Sequence, residues 1–355
     1  MRRLFCLLMA LCVLTVCAKA VELPQELDGA LPQELLDSAR EGEGLLSRGA
    51  SYLWSELCSA LRDAIAASTR AAVSLMLLSL LCGLIEGTAE GTGALSAQYT
   101  GYAGVLGAAA LAAGDLHALI GLGVSTVDEL SVMAKLLLPT VAAAMAGGGY
   151  VGTASVWQVS ALMMSDMFLS LLRGIFVPVL YGMIGTAAAG ALLPQSRLSQ
   201  LAGGIKKLLS WGLSALLIAY TGFLSVTNLL TGSADRVAVR AGKTIVSGAV
   251  PIVGGILSDA AETLLAGADT LRGTLGVLGV LGVLAVCLVP LVRLGVQYLL
   301  YRAAAFFCGL VGTDTLRGFL EQLSSAFSLV LAMTAGGAFL LLASLMIALL
   351  MVVTI

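Results

Sequence analysis

Long apolar stretches alternate with short polar breaks along most of this chain. A helix needs about 20 apolar residues to cross the hydrocarbon core of a bilayer, and most of the stretches from Ala71 onward reach that length. The pattern therefore predicts about eight transmembrane helices. They lie at 71–85, 101–122, 131–150, 152–172, 174–193, 208–230, 275–299 and 327–353.

The segment 244–266, which follows Lys243, does not fit this pattern. Residues that break helices interrupt its first half and acidic residues charge its second half, namely Pro251, Gly254, Gly255, Asp259 and Glu262. A broken helix at membrane depth must line a cavity or be buried in protein. We predict a helix break at Pro251 and leave open whether the segment crosses the membrane or turns back.

The N-terminus has the pattern of an export signal. Two arginines precede the apolar run 4–18, which ends in Ala18-Lys19-Ala20. A basic start, an apolar stretch of this length and small residues at the end are typical of a signal peptide. We predict that residues 1–20 are removed by cleavage between Ala20 and Val21, and an uncleaved anchor is the alternative.

Residues 21–70 form a different kind of segment from the rest of the chain. The segment is rich in acidic residues, and apolar residues recur at helical spacing from Leu45 to Ile65. This pattern predicts a short acidic extracytoplasmic segment with an amphipathic helix. It is either a solvated connector or a docking site for a partner. Residues 71–355 then form the polytopic membrane domain.

The composition supports a helical membrane protein. Apolar residues make up 59% of the chain and charged residues 11%, whereas soluble domains carry about 25% charged residues. The 42 glycines also fit, because glycine allows helix backbones to approach closely in a bilayer. We therefore predict an all-α fold with lipid as its main solvent. The net charge of −2 gives no indication of a nucleic acid partner.

Four prolines suggest an internal repeat. Pro139 and Pro178 are 39 residues apart, and so are Pro251 and Pro290. Superposing the two pairs aligns 138–141 with 250–253 and 177–180 with 289–292, which would make the repeat halves about 131–230 and 243–355. Duplicated halves with interrupted helices are typical of transporters. Chance is the alternative, since apolar sequences match one another easily.

Ionisable residues inside predicted spans are candidates for function, because their burial in lipid is costly. Asp115 and His117 are two residues apart, so they point about 200° away from each other and cannot share a helix face. Lys135 and Asp166 lie in consecutive spans and could pair, although Lys135 could instead snorkel to the headgroups.

Asp259 and Glu262 are three residues apart and share one helix face. They follow the predicted break, so they are the best candidates for a pathway. A helix that faces a partner or solvent is the alternative.

No residue pattern indicates an enzyme or a cofactor. Gly147, Gly149 and Gly152 fit G-x-G-x-x-G, but apolar helices rather than a strand precede them. Gly242-Lys243-Thr244 resembles the end of a phosphate loop, but Val237 replaces its first glycine. The cysteines are scattered singly and His117 is the one histidine. We therefore expect no metal ion, no cofactor and no ATPase activity of this chain.

The sequence AGKTIVSGAVPIVGG at 241–255 resembles the stage III sporulation protein AE family, together with LSDA at 257–260 and VPL at 289–291. The layout of an export signal, a short extracytoplasmic region and a polytopic body agrees. The resemblance implies a role in endospore formation, in the mother-cell membrane around the engulfed forespore. It implies a permease-like platform subunit of a multiprotein channel or secretion-like apparatus that joins the two cells.

The resemblance also implies partners. These are other proteins of the stage III sporulation A operon, including a separate ATPase and ring-forming subunits, and indirectly the forespore's stage II sporulation protein Q. Two other hypotheses remain beside the channel subunit. One is an autonomous ion-coupled secondary transporter that uses Asp115, Asp166, Asp259 or Glu262. The other is an intramembrane enzyme, which the lack of paired catalytic groups disfavours.

Overall fold

The computed structural model describes residues 45–89, 94–147, 150–193, 198–249, 254–311 and 314–353. All regular structure in these ranges is helical, which confirms the predicted all-α class. The signal peptide at 1–20 and Pro251 lie outside the described residues. For 228–275, the description covers the backbone of the helices and not their side chains.

Seven α-helices and one π turn make up the described chain. The helices are α1 (Leu45–Ala89), α2 (Ala94–Gly147), α3 (Val151–Leu171), α4 (Val177–Leu192), α5 (Leu198–Ala249), α6 (Gly254–Val311) and α7 (Asp314–Val353). The π turn Leu172–Phe176 joins α3 to α4 without a loop. These two helices therefore form one continuous rod, which we call the α3–α4 helix.

Within the described ranges, six helices are long and apolar enough to cross a membrane, so the predicted count of eight is not confirmed. They are Ser47–Gly87, Tyr99–Gly147, Val151–Leu192, Gln200–Thr227, Gly276–Leu310 and Asp314–Ala348. The difference arises in two places. The predicted spans 101–122 and 131–150 both fall on α2, apart from the last three residues, and the spans 152–172 and 174–193 both fall on the α3–α4 helix.

The helices are longer than one bilayer crossing requires. The α2 helix contains 54 residues, and a residue adds about 1.5 Å to a helix. A hydrocarbon core of about 30 Å holds only about 26 helical residues even at a tilt of 40°. A continuous helix can cross such a core once, so about half of α2 extends beyond it.

The centre of the bundle is the antiparallel pair of α6 and α7. In their most apolar windows 56% of the residues are buried, against 22–33% in the other candidate spans. The rings of Tyr301 and Phe327 lie 4.8 Å apart between the two helices. The other helices therefore surround α6 and α7, which are the most buried of the candidate spans.

Small residues set the closest helix contacts. A Cβ atom on Gly123 of α2 would lie 2.5 Å from Val330 of α7, and one on Gly337 of α7 would lie 3.2 Å from Leu130 of α2. In lipid, such packing drives helix association more than burial of large apolar side chains does. The two glycines thus hold α2 against the central pair.

The first helix packs through its small residues. It runs without interruption through residues 70 and 71, where the extracytoplasmic segment was expected to end. Ala60 and Ala64 face the core, whereas Leu61 and Ile65 are 44% and 46% exposed. Small side chains let α1 approach its neighbours closely, and the larger ones therefore turn outward.

We expect Gly123→Ala to destabilise the bundle. The new methyl group would collide with Val330, whose branched side chain has little rotamer freedom in a helix. Overpacking of this kind costs about 1–3 kcal/mol. Thermal unfolding of the purified protein in detergent should therefore start at a lower temperature.

Gly121→Ala is the matched control on the same helix. A Cβ atom at Gly121 would meet nothing within 4 Å, and alanine favours a helix by about 1 kcal/mol over glycine. Equal losses of stability in the two variants would contradict the tight contact between α2 and α7.

Candidate functional site: polar contacts between the helices

Two ion pairs connect α2 with the α3–α4 helix. Lys135 Nζ lies 3.7 Å from Asp166 Oδ1, and Arg173 Nη2 pairs with Asp128 Oδ1. The paired residues are seven positions apart on each helix, which is about 10.5 Å along the axis. The predicted partners Lys135 and Asp166 thus lie within ion-pairing distance, on antiparallel helices.

The acid and the base exchange helices between the two pairs: α2 supplies the acid of one pair and the base of the other. On α2 the acid Asp128 precedes the base Lys135, and on the α3–α4 helix the acid Asp166 precedes the base Arg173. If the helices slid by seven residues, two acids or two bases would face each other. Like charges in contact are unfavourable, so the pattern selects one register of the two helices.

Asp128 and Arg173 were missed as site residues, because they fall in the polar breaks that the sequence analysis placed between spans. In the structure these two breaks meet, and the opposite charges satisfy each other inside continuous helices. The signal that could have found them is the equal spacing, with inverted signs, of 128 to 135 and 166 to 173.

Arg173 lies on the π turn between α3 and α4. There the Val177 N–H donates to the Leu172 carbonyl, five residues back. Pro178 occupies the first turn of α4 and has no N–H to continue the α-helical ladder. Single π turns inside α-helices occur often at functional sites, and this one places a paired arginine beside Pro178.

Buried hydroxyl groups link three helices beside the Lys135–Asp166 pair. Tyr220 of α5 lies 3.0 Å from Ser165 Oγ of α3 and 2.6 Å from Ser344 Oγ of α7. Ser344 donates its proton to the Leu340 carbonyl. It must therefore accept from Tyr220, which leaves Ser165 as the donor to the Tyr220 oxygen.

An open cleft of about 280 Å³ connects the ion pair to this hydroxyl chain. Its surface is almost wholly apolar, although Lys135, Asp166 and two serines are among the residues that border it. Its apolar lining comes from α2 and α3. The lining residues are Ser131, Ala134, Lys135, Leu162, Met163, Ser165, Asp166 and Leu169.

Asp115 has a separate polar site between α2 and α6. Its Oδ2 accepts hydrogen bonds from Gln297 Nε2 at 3.0 Å and from the Tyr301 hydroxyl at 3.1 Å. Both donors are buried, at 4% and 1% exposure. His117 is exposed, so it does not share this site. The arrangement fixes a carboxylate at the central helix pair.

The predicted pathway around Pro251 lies mostly beyond the described side chains. Lys243 is on α5, which ends at Ala249, and Gly254, Gly255, Asp259 and Glu262 are on α6, which begins at Gly254. Pro251 lies outside the described residues. The break and the pathway stay predictions.

The repeat prolines take different positions. Pro139 and Pro290 are inside α2 and α6, and Pro178 is in the first turn of α4. The fourth, Pro251, lies outside the described residues, so the repeat stays a prediction.

Among the described residues, no group of three or more His, Cys, Asp or Glu side chains is placed to hold a metal ion. The charged clusters instead contain cations and anions together. Such sites can bind zwitterionic groups, orient a partner or fix a helix register.

Comparison with known proteins gives one consistent family. Residues 32–353 match the family described as Stage III sporulation protein AE. The chain is 21% identical over 225 residues to "Stage III sporulation protein AE" of Bacillus subtilis (strain 168), and the alignment covers 63% of this chain and 56% of that relative. The chain thus spans little more than half the length of this curated relative. No solved structure matches.

We expect Arg173→Asp to loosen α2 from the α3–α4 helix, because two carboxylates would then face each other. Adding Asp128→Arg should restore stability by re-forming the pair with reversed signs. Because both side chains are partly exposed, the effect should be about 0.2–1 kcal/mol, measured as the midpoint of thermal unfolding in detergent.

The control for this swap is Arg62→Asp, since Arg62 is exposed on α1, a helix that neither ion pair involves. The pairing would be contradicted if the double variant Asp128→Arg/Arg173→Asp were no more stable than Arg173→Asp alone.

We expect Tyr220→Phe to cost about 1–3 kcal/mol, because buried hydroxyls lose their partners. The Ser165 and Ser344 contacts would both be lost. Tyr181→Phe is the control, since Tyr181 is 44% exposed on α4. Denaturant unfolding in detergent measures both, and an equal effect of the two changes would argue against the hydroxyl chain.

Proposed function

The chain belongs to the stage III sporulation protein AE family, and we propose that it is the membrane platform of a sporulation-specific channel. This channel links the mother cell with the forespore and supports late forespore development. The family match over 32–353 is the observation that carries the proposal, because it includes the whole helical body.

The helical body supports a platform role. The protein is a multi-pass membrane protein with six candidate spans among the described residues. Its helices exceed the thickness of one hydrocarbon core, so they offer side surfaces both within and beyond the membrane. A subunit that other proteins assemble on needs such surfaces more than it needs a catalytic centre.

The proposed location is the mother-cell membrane around the forespore. The partners in this proposal are other proteins of the stage III sporulation A operon, including a separate ATPase and ring-forming subunits. The forespore's stage II sporulation protein Q is reached indirectly. Energy would come from the separate ATPase, since Val237 stands where a phosphate-binding loop needs its first glycine. The chain itself is not an enzyme in this proposal.

An autonomous ion-coupled transporter is the second candidate, and the Asp115 site favours it. A carboxylate held between helices by Gln297 and Tyr301 is a group that could take up a cation or a proton. Ionisable residues within membrane helices often mark ion pathways. In that case the purified protein would move a solute without partners.

Deleting the gene in its own organism tests the platform proposal. We expect forespores to shrink or stall after engulfment under starvation, and to recover when the intact gene is restored, as followed by microscopy. Normal spore maturation in the deletion strain would refute the proposal.

Reconstitution separates the two candidates. If the protein is a platform, the purified protein in liposomes should show no gradient-driven solute uptake. Uptake that Asp115→Asn abolishes would instead establish the transporter. The matched control is Asp314→Asn, because Asp314 is an exposed residue in the first turn of α7.

A further inference from the structure

The cleft between α2 and α3 presents opposite charges side by side. The distance of 3.7 Å between Lys135 Nζ and Asp166 Oδ1 exceeds the 2.7–2.9 Å or so of a charge-assisted hydrogen bond. The side chains are 64% and 62% exposed despite the pairing. An ammonium has three donors and a carboxylate about four acceptor positions, so both groups can bind a third molecule at the same time.

The hairpin beyond this pair is free of charge. Residues 136–165 include no Asp, Glu, Lys, Arg or His, and Val156, Val159 and Met163 are exposed on its outer surface. Its two helical limbs, 136–147 and 151–165, measure about 18 and 22 Å. Each exceeds half of a hydrocarbon core of about 30 Å. A hairpin of this length and composition can enter lipid with the charged pair near the headgroups.

The cleft is apolar inside and has the exposed charges of Lys135 and Asp166 beside it, which is the arrangement that a phospholipid needs at the junction of its headgroup and acyl chains. Its volume of about 280 Å³ is near the lower end of small-ligand pockets, about 300 Å³. Lys135 suits a phosphate, which lysine binds as a point charge. Asp166 suits an ammonium beside that phosphate. The apolar wall of Leu162, Met163 and Leu169 suits the start of an acyl chain.

We propose that the Lys135–Asp166 cleft binds a zwitterionic phospholipid whose headgroup ends in a primary ammonium, the chemistry of phosphatidylethanolamine. Lys135 holds the phosphate and Asp166 accepts hydrogen bonds from the ammonium. Phosphatidylcholine is the discriminating competitor, because its quaternary ammonium has no N–H to donate. An anionic lipid without an ammonium leaves Asp166 unmatched.

The test uses the full chain in nanodiscs of equal amounts of phosphatidylethanolamine and phosphatidylcholine with identical acyl chains. After transfer to detergent, native mass spectrometry counts the lipids that stay bound. We expect the wild-type protein to retain phosphatidylethanolamine about two- to fivefold over phosphatidylcholine, the preference that one exposed charged contact gives.

Two variants test the individual roles. Asp166→Asn should abolish the preference and leave the phosphate contact. Lys135→Met, which keeps an unbranched side chain, should lower retention of both lipids. Asp314→Asn is the matched control, since Asp314 is exposed in the first turn of α7 and lies outside the cleft, and it should leave the preference unchanged.

Equal retention of the two lipids by the wild-type protein would overturn the proposal, and this result depends on no variant. A preference that survives both Asp166→Asn and Lys135→Met would overturn it as well. A dimer that forms without lipid would also overturn the proposal, because the cleft would then bind a second copy of this chain. Such a dimer would be captured by cross-linking through Met163→Cys, and it would be lost when Asp166→Asn or Lys135→Met is added.

Discussion

Opposite charges on α2 and the α3–α4 helix meet at two levels, and the register of these two helices depends on these contacts. Pairing lets both helices continue past their charged residues. Because both helices are continuous, four of the eight predicted spans fall on two of the six candidate spans found among the described residues, and these helices reach beyond a single hydrocarbon core.

Close packing of small residues acts together with the charged pairs to position the helices. The charged pairs set the register of α2 and α3 along the bundle axis, and glycines such as Gly123 and Gly337 set their distance from α7. Hydrogen bonds then join the outer helices to the central pair, through Tyr220 on one side and Asp115 on the other. Charge thus fixes position along the helices, and side-chain volume fixes separation between them.

The sequence predicted the fold class and the apolar helices well, because hydrophobic content and length alone decide those properties. It also placed Lys135 and Asp166 on helices where they could pair. It missed the Asp128–Arg173 pair, since a polar break in an apolar chain looks the same whether it meets water or an opposite charge on another helix. That distinction is a tertiary one. Nor does the sequence show which face of α1 packs, because the small residues Ala60 and Ala64 face the core and the larger Leu61 and Ile65 are exposed.

The central position of α6 and α7 has a consequence for how the protein is made. Asp115 and its partner Gln297 are 182 residues apart, and ribosomes add about 5–20 residues per second. For roughly 10 to 40 seconds, the growing chain therefore holds α2 in or near the membrane without the helix that satisfies its carboxylate. Helices that are synthesised last complete the centre, so the nascent protein depends on insertion machinery to shelter its unfinished interior.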